Sequence, residues 1–251
     1  MKRKVIIHKH LFKNAGTTFD WCLRRNFGEA FFDHRDDEKM RKQGEDYLLW
    51  FLRQYPAIKA LSSHHVRFRF TPHDDIELIP VYILRHPIER IRSVFEFEKK
   101  QPPETSYGAK MAKSMNFKEY VAWYMQDGIP ATIRDFHARY LSGYLKSGEL
   151  TEQAFNDAVE ELEQCPFIGV VERFDDSMKM FELEFKKKGF DLDLGYEPQN
   201  VSENFLNKDY EERSRALLDE LGDLAELVLE KNRNDLALHK IALQKLNRYF
   251  E

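Results

Sequence analysis

V-I-I-H-K-H-L-F-K-N-A-G-T-T, residues Val5 to Thr18, reads as a buried strand that breaks into a turn shaped for a phosphate. Val5, Ile6 and Ile7 form a short β-branched run of the kind that suits a strand covered on both faces. Lys13-Asn14-Ala15-Gly16-Thr17-Thr18 then brings a small residue, a glycine that lets the backbone approach a ligand, and two hydroxyls. Phe19, Cys22, Leu23 and Phe27 follow at helical spacing. A strand, a tight turn and a helix N-terminus make an anion site, because first-turn N–H groups point outward and the helix dipole favours negative charge there.

The turn does not follow the usual nucleotide-triphosphatase pattern. That pattern, G-x-x-x-x-G-K-[ST], sets a lysine after its second glycine and a hydroxyl on magnesium. Here Lys13 precedes Gly16 and Thr17 follows it directly. Taken alone, the segment reads equally well as a plain strand-to-helix connection with a threonine N-cap.

A second segment changes that balance. Ile79-Pro80-Val81-Tyr82-Ile83-Leu84 is another apolar strand, and it ends in Arg85-His86-Pro87-Ile88-Glu89-Arg90-Ile91-Arg92-Ser93. Pro87 fits the first turn of a helix, where its missing N–H goes unnoticed. Arg85 then stands at the strand end and Ser93 about two turns along the helix. A guanidinium offers phosphate a planar fork and a serine hydroxyl adds a further donor. On its own, the Glu89 and Arg90 part of this run reads as a solvated helical face.

Together the two segments resemble the signatures of sulfotransferases that use 3′-phosphoadenosine 5′-phosphosulfate, PAPS, in their carbohydrate (Golgi-type and bacterial) branch. His10 to Thr18 is similar to the family's 5′-phosphosulfate motif, and Arg85 to Ser93 matches its R-D/H-P-x-x-R-x-x-S signature for the 3′-phosphate. Phe167 to Met178 resembles the F-V-G-L-T-E-R-F-x-x-S-L segment, Asn234 to His239 the closing helix, and Ser63-His64-His65-Val66 the family's G-H-V segment. Phe12 replaces a proline, Asn14 a hydroxyl residue, and His64 the glycine before the base. The resemblance implies an α/β, P-loop-like three-layer fold with a central parallel sheet flanked by helices. It also implies sulfuryl transfer from PAPS to an acceptor hydroxyl, with a carbohydrate or glycoconjugate as the default acceptor.

In that scheme Lys13, Asn14, Ala15, Gly16, Thr17 and Thr18 hold the phosphosulfate, and Arg85 and Ser93 hold the 3′-phosphate. His65 takes the acceptor proton, as a neutral histidine can near pH 7. On an extended segment His64 and His65 point to opposite sides, so only one faces the sulfuryl group. Lys13 is a fixed donor where charge develops on the bridging and phosphate oxygens. No metal is expected, since no clustered ligands suggest one. Two rivals share parts of the pattern: a nucleotide or sugar kinase using ATP and magnesium, and a non-catalytic anion- or glycan-binding module that tolerates loss of His65.

Composition is compatible with this scheme. The chain has 251 residues, enough for one domain spanning 1–251, with no repeat or Gly/Ser-rich linker. Its 39 basic and 43 acidic side chains nearly cancel, which argues against general nucleic-acid binding and makes any anion site local. Cys22 and Cys165 lack disulfide or metal spacing and read as buried thiols. The apolar run after Met1-Lys2-Arg3-Lys4 stops at Ile7, too short for a signal peptide or a membrane span. Cytoplasmic location, as for a bacterial enzyme, is expected over a trimmed Golgi-lumenal domain.

Strands are expected at Lys4 to His8, Ile58 to Ser62, Leu78 to Leu84 and Pro166 to Val171. Helices are expected at Thr17 to Arg25, Glu45 to Gln54, Pro87 to Lys99, Phe117 to Gln126, Thr132 to Leu141, Thr151 to Gln164, Asp175 to Lys188, and twice after Lys208. Such alternation implies parallel strands with helices on both faces, and ligands bind beyond the carboxyl ends of such strands. Tyr120, Trp123 and Tyr124 read as core, and Leu48 to Leu52 as a helix buried on the sheet. Gln101 to Gly108 reads as a loop, making Lys99 to Ser114 a candidate lid.

Overall fold

The computed structural model describes residues 2–144, 146, 148–196 and 209–251. The first strand, β1 (Arg3–Lys9), leads through the glycine turn into helix α1 (Gly16–Phe27), then the short β2 (Phe31–Asp33). Helix α2 (Asp37–Gln54) is interrupted at Gly44, whose backbone (φ 59°, ψ −133°) is not helical. Strands β3 (Ala60–Ser63) and β4 (Ile76–Leu84) follow, then α3 (Pro87–Lys100), α4 (Tyr107–Ser114), α5 (Phe117–Tyr124), α6 (Phe136–Ser142) and α7 (Glu152–Gln164). The short β5 (Ile168–Val170) precedes α8 (Phe174–Lys187), and the chain closes with α9 (Tyr210–Leu221), α10 (Ala225–Glu230) and α11 (Arg233–Phe250).

All five strands are parallel, in the order β2-β3-β1-β4-β5. β1 is therefore central, and its register sets Lys9 against Ser63 of β3 and His8 against Val81 of β4. The β1–α1 turn, the His64–His65 turn and Arg85 consequently leave the sheet side by side at its carboxyl edge. That is where an open parallel sheet binds its ligand.

Successive residues of β1 face opposite layers, as period-two geometry demands. Ile6 packs with Phe19, Cys22 and Leu23 of α1 and with α6, α7, α8 and α11. Val5 and Ile7 pack with Met40, Leu48, Phe51 and Leu52 of α2. The sheet is thus covered on both faces, giving the expected α/β three-layer architecture with its parallel central sheet. A separate helical cluster joins α3, α4, α5, α9 and α10 around Ile91, Phe95, Tyr120 and Leu221. Among the described residues no helix is long and apolar enough to cross a membrane. Cys22 and Cys165 are buried free thiols.

Several expectations are corrected. β2 was not foreseen: three residues at the sheet edge are too few for a period to be read. Ser106 accepts from Ala109 N–H at 3.0 Å and starts α4 inside the segment read as a loop and lid. α4 instead docks on α3, since a Cβ at Gly108 would sit 2.2 Å from the buried Glu98 carboxylate. α6 begins at Phe136 rather than Thr132, after Asp135 in a left-handed conformation (φ 43°). Three helices, not two, follow Lys208. Tyr120, Trp123 and Tyr124 are core as expected, and within the buried Leu48 to Leu52 turn only Trp50 turns outward.

The β5 end of the sheet leans on Phe167, fully buried and stacked on Phe185 at 4.2 Å between ring centroids. Phe167→Ala should therefore lower the unfolding free energy by about 3–5 kcal/mol, the usual range for emptying such a site. Urea unfolding followed by circular dichroism checks this; a loss below about 1 kcal/mol would mean α8 collapses into the space.

Candidate functional site

The β1–α1 turn is held in an unusual backbone shape. Lys13 (φ 64°) and Ala15 (φ 56°) both adopt left-handed conformations without being glycine. Such residues persist only where their surroundings over-determine them, and alternating hands turn successive N–H groups into an anion-binding concavity. The tight bonds of Thr18 N–H and Phe19 N–H to the Ala15 carbonyl (3.1 and 3.3 Å) close the first turn of α1. The N–H groups of Gly16 and Thr17, ahead of the intrahelical ladder, are left for a ligand. Thr17 is exposed and Thr18 buried.

Gly16 is required by contact. A Cβ there would meet the His10 ring at 2.3 Å. His10 is anchored in turn, its Nδ1 lying 2.9 Å from Asp20 Oδ2, while His8 Nδ1 lies 2.6 Å from Asp20 Oδ1. Burial alone would push the Asp20 carboxyl up, but the two imidazoles hold it below the usual carboxylate range. His8, His10 and Asp20 are close enough to hold a metal ion. Their short nitrogen–oxygen separations, however, fit direct N–H···O bonds better than ligands spread around a zinc-sized ion, which stand roughly 3.3 Å apart at Zn–N distances of about 2.0–2.1 Å.

On the far side of the turn, Asn14 Oδ1 accepts from His137 Nε2 at 2.9 Å, and Asn14 Nδ2–H donates to the Phe12 carbonyl at 3.0 Å. Bonding to that oxygen puts the His137 proton on Nε2, so Nδ1 turns its lone pair toward Asp235 Oδ2, 3.3 Å away. Asp235 also accepts the N–H groups of His137 (3.0 Å) and Ala138 (2.9 Å), capping α6. Asp135 reciprocates, accepting Asn234 N–H (3.1 Å) and Asp235 N–H (3.2 Å) at the start of α11. Burial, and then the Asp135 carboxylate, push the Asp235 carboxyl up to about 7.

Lys13 lies with its Nζ 4.6 Å from the Phe97 ring centroid. Burial lowers its pKa, and so do the nearby cations Arg85 and Lys100. Lys13, Arg85 and Lys100 thus lie near one another. Arg85 contacts Glu89 at 3.6 Å through one terminal nitrogen, while its buried Nε has no hydrogen-bond partner among the described residues. Ser93 stands half-buried on α3. The reading of Glu89 and Arg90 as a solvated face is overturned, since each is 1% exposed. Arg90 donates to the carbonyls of Phe12 (3.5 Å) and Thr132 (2.5 Å), bracing the turn from below.

His64 and His65 lie in a turn after β3, not on an extended segment, so the opposite-sides expectation does not hold. The His64 ring is 4.2 Å from that of His10, and its Nδ1–H donates to the His10 carbonyl at 2.8 Å. That bond fixes the tautomer with a lone pair on Nε2. Burial, and then His10, push the His64 imidazole down to about 4, so it is neutral. The His65 N–H donates to Ser63 Oγ (3.2 Å) and its carbonyl accepts Arg67 N–H (3.0 Å).

Distant segments of the chain converge behind this edge. Glu172 accepts the His86 N–H at 2.8 Å and His239 Nε2–H at 2.9 Å, joining the segments 85–93, 167–178 and 234–239 at one buried carboxylate. Reading the sequence missed His8, His10, Asp20, His137 and Asp235. The alternation of His8 and His10 on one face of β1 was the available signal; the His137–Asp235 pair had none, being 98 positions apart.

No family model matches the chain. It is similar, at 30% identity over 255 residues and 95% of each chain, to an uncharacterized protein of Archaeoglobus fulgidus.

The raised pKa of Asp235 has a measurable effect on stability. Folding lifts it from an ordinary 3.8 to about 7, so the stability tied to the bound proton is complete below 3.8 and is lost as pH rises through about 7. Unfolding measured against an Asp235→Asn variant should show the wild type losing ground across that interval. A difference between the two that is flat with pH would show an ordinarily ionised Asp235.

Proposed function

We propose that this chain, which belongs to one family with the archaeal protein, is a PAPS-dependent sulfotransferase that acts on an acceptor hydroxyl. The observation that carries the reading is the left-handed turn that holds Lys13 at the end of the central strand, with Arg85 at the end of the neighbouring β4. A donor carrying a 5′-phosphosulfate and a 3′-phosphate needs two anion subsites on one sheet edge, and the turn and Arg85 supply a donor set for each.

In this reading the backbone of Ala15 to Thr18 and the Lys13 ammonium hold the phosphosulfate. Lys13 meets the charge that grows on the bridging oxygen as the S–O bond breaks, where a fixed donor lowers the barrier. Arg85, with its unpartnered Nε, and Ser93 take the 3′-phosphate, which separates PAPS from ATP. Asn14, held by His137, keeps the turn in shape rather than touching the reacting atoms.

We assign the proton acceptor to His64, because its Nε2 lone pair is fixed and its ring stands against the turn through His10. His65, which the resemblance to the G-H-V segment singles out, sits one position further along. A bound phosphosulfate dianion raises the low His64 pKa toward the working range, since nearby negative charge favours imidazolium. The acceptor in this reading is a carbohydrate or glycoconjugate hydroxyl, and no metal takes part.

Calorimetry with adenosine 3′,5′-bisphosphate against ATP tests the assignment of the nucleotide. Arg85→Ala should weaken bisphosphate binding by about 1.5–3 kcal/mol, the scale of a charged hydrogen bond, while leaving adenosine 5′-phosphate almost unchanged. Equal losses for both would make Arg85 structural. For the base, His64→Ala should keep bisphosphate affinity and lower turnover by about a hundredfold or more, with His65→Ala costing far less. The reverse ranking returns the role to His65.

A further inference from the structure

Four of the buried polar atoms that lack a hydrogen-bond partner among the described residues lie together. They are Nε of Arg67, Arg134 and Arg139, and the hydroxyl of Tyr140. All four residues line a cavity of about 570 Å³ bounded by the 127–135 segment, α6 and the start of α11. Tyr140 is 3% exposed, and burial keeps its hydroxyl protonated and able to donate.

The wall carries six lysine or arginine side chains against four carboxylates. Two of those carboxylates are already engaged, Asp135 by the α11 N-terminus and Glu149 by Lys231 at 2.8 Å. The guanidinium groups are held in place by neutral partners. Arg139 donates to the carbonyls of Lys146 (3.1 Å) and Gly148 (2.5 Å), Arg134 to that of Ile129, and Arg67 stacks on the Tyr140 ring at 5.2 Å. Carbonyls and rings orient these cations, while Asp127 and Asp135 act on Arg134 and Arg139 only through space. Burial, and then Arg139, hold the Arg134 pKa below its ordinary value, as crowding of like charges does. Oriented arginines around a cavity of ligand size, with more cations than carboxylates in its wall, describe a site for an oxyanion.

We propose that this cavity is a second anion site, separate from the β1–α1 turn, which takes a carboxylate, sulfate or phosphate group carried by the acceptor. The identity of the carrier rests on the sulfuryl-transfer reading; the anion site itself does not. Position supports the link. Arg67 N–H bonds to the His65 carbonyl, so the wall begins two residues beyond the His64–His65 turn. The tight approach of Gly143 (φ 69°) to the Arg67 carbonyl, which would lie 2.7 Å from a Cβ there, fixes this segment on the end of α6.

The test is calorimetric titration of the full chain with sodium sulfate, with the nucleotide site saturated by adenosine 3′,5′-bisphosphate. Sulfate should still bind, and Arg134→Gln or Arg139→Gln should weaken it by about tenfold or more, as loss of a charged hydrogen bond does, while bisphosphate affinity holds. Arg134→Lys, which keeps the charge, should lose less and guards against a misfolded variant. Sulfate that the bisphosphate displaces, or that binds all variants equally, overturns the site. Turnover distinguishes the source of the anion: Arg134→Gln should raise KM for a glucuronide acceptor but not for the matching neutral glucoside. An equal change for both overturns the acceptor assignment and leaves the site to a free anion. Failure of bisphosphate to bind would reject the sulfuryl-transfer reading, and the sulfate titration of the arginine variants would still decide the anion site.

Discussion

The hydrogen bond from His137 to Asn14 is the contact on which the candidate site depends. A turn with two left-handed non-glycine residues stores backbone strain, and something rigid must hold it. Asn14 sits between those two residues, and its buried partner is fixed by Asp235 at the crossing of α6 and α11. The reciprocal caps of Asp135 and Asp235 make that crossing rigid, because each carboxylate satisfies N–H groups that the other helix would leave unpaired. The C-terminal helix thereby governs the shape of a turn more than two hundred residues before it.

A different set of groups holds the opposite wall. His10 presses on Gly16, and Asp20 joins His10 to His8, so the first helix is clamped to the strand it follows. Charge in this region is arranged by division. Asp20, Asp235 and Glu172 are taken up by backbone N–H groups and imidazoles below the sheet edge, while Arg85 keeps a long contact of 3.6 Å with the buried Glu89. Buried carboxylates satisfied in this way do not cancel the cations a ligand would meet.

Much of the fold was legible in the sequence, because β1 and β4 are apolar runs ending in turn residues and α3 opens with proline. The parallel sheet and its two helical layers follow from that alternation. The three-residue β2 was invisible, since its pairing is decided by β3 and not by any pattern of its own. At the site, Lys13, Gly16 and Arg85 were readable because their chemistry is local to one turn or strand end. The supporting residues were not. Glu89 and Arg90 look like surface charges on any helical wheel, yet α9 and the 127–135 segment cover them. His137 and Asp235 meet only through tertiary packing, which a single chain does not encode as spacing.

The central strand is also the first element of the chain, and both its neighbours come later. β1 pairs with residues 60–63 and 76–81, so no hydrogen-bonded partner exists until residue 60 has been synthesised. Val5, Ile6 and Ile7 then form an apolar segment waiting for long-range contacts, which is the slow route to a sheet and one open to misassembly. The turn that follows β1 waits longer still, because the helix carrying Asp235 comes more than two hundred residues later. In order of folding, the segment written first in this protein is among the last to take its final shape.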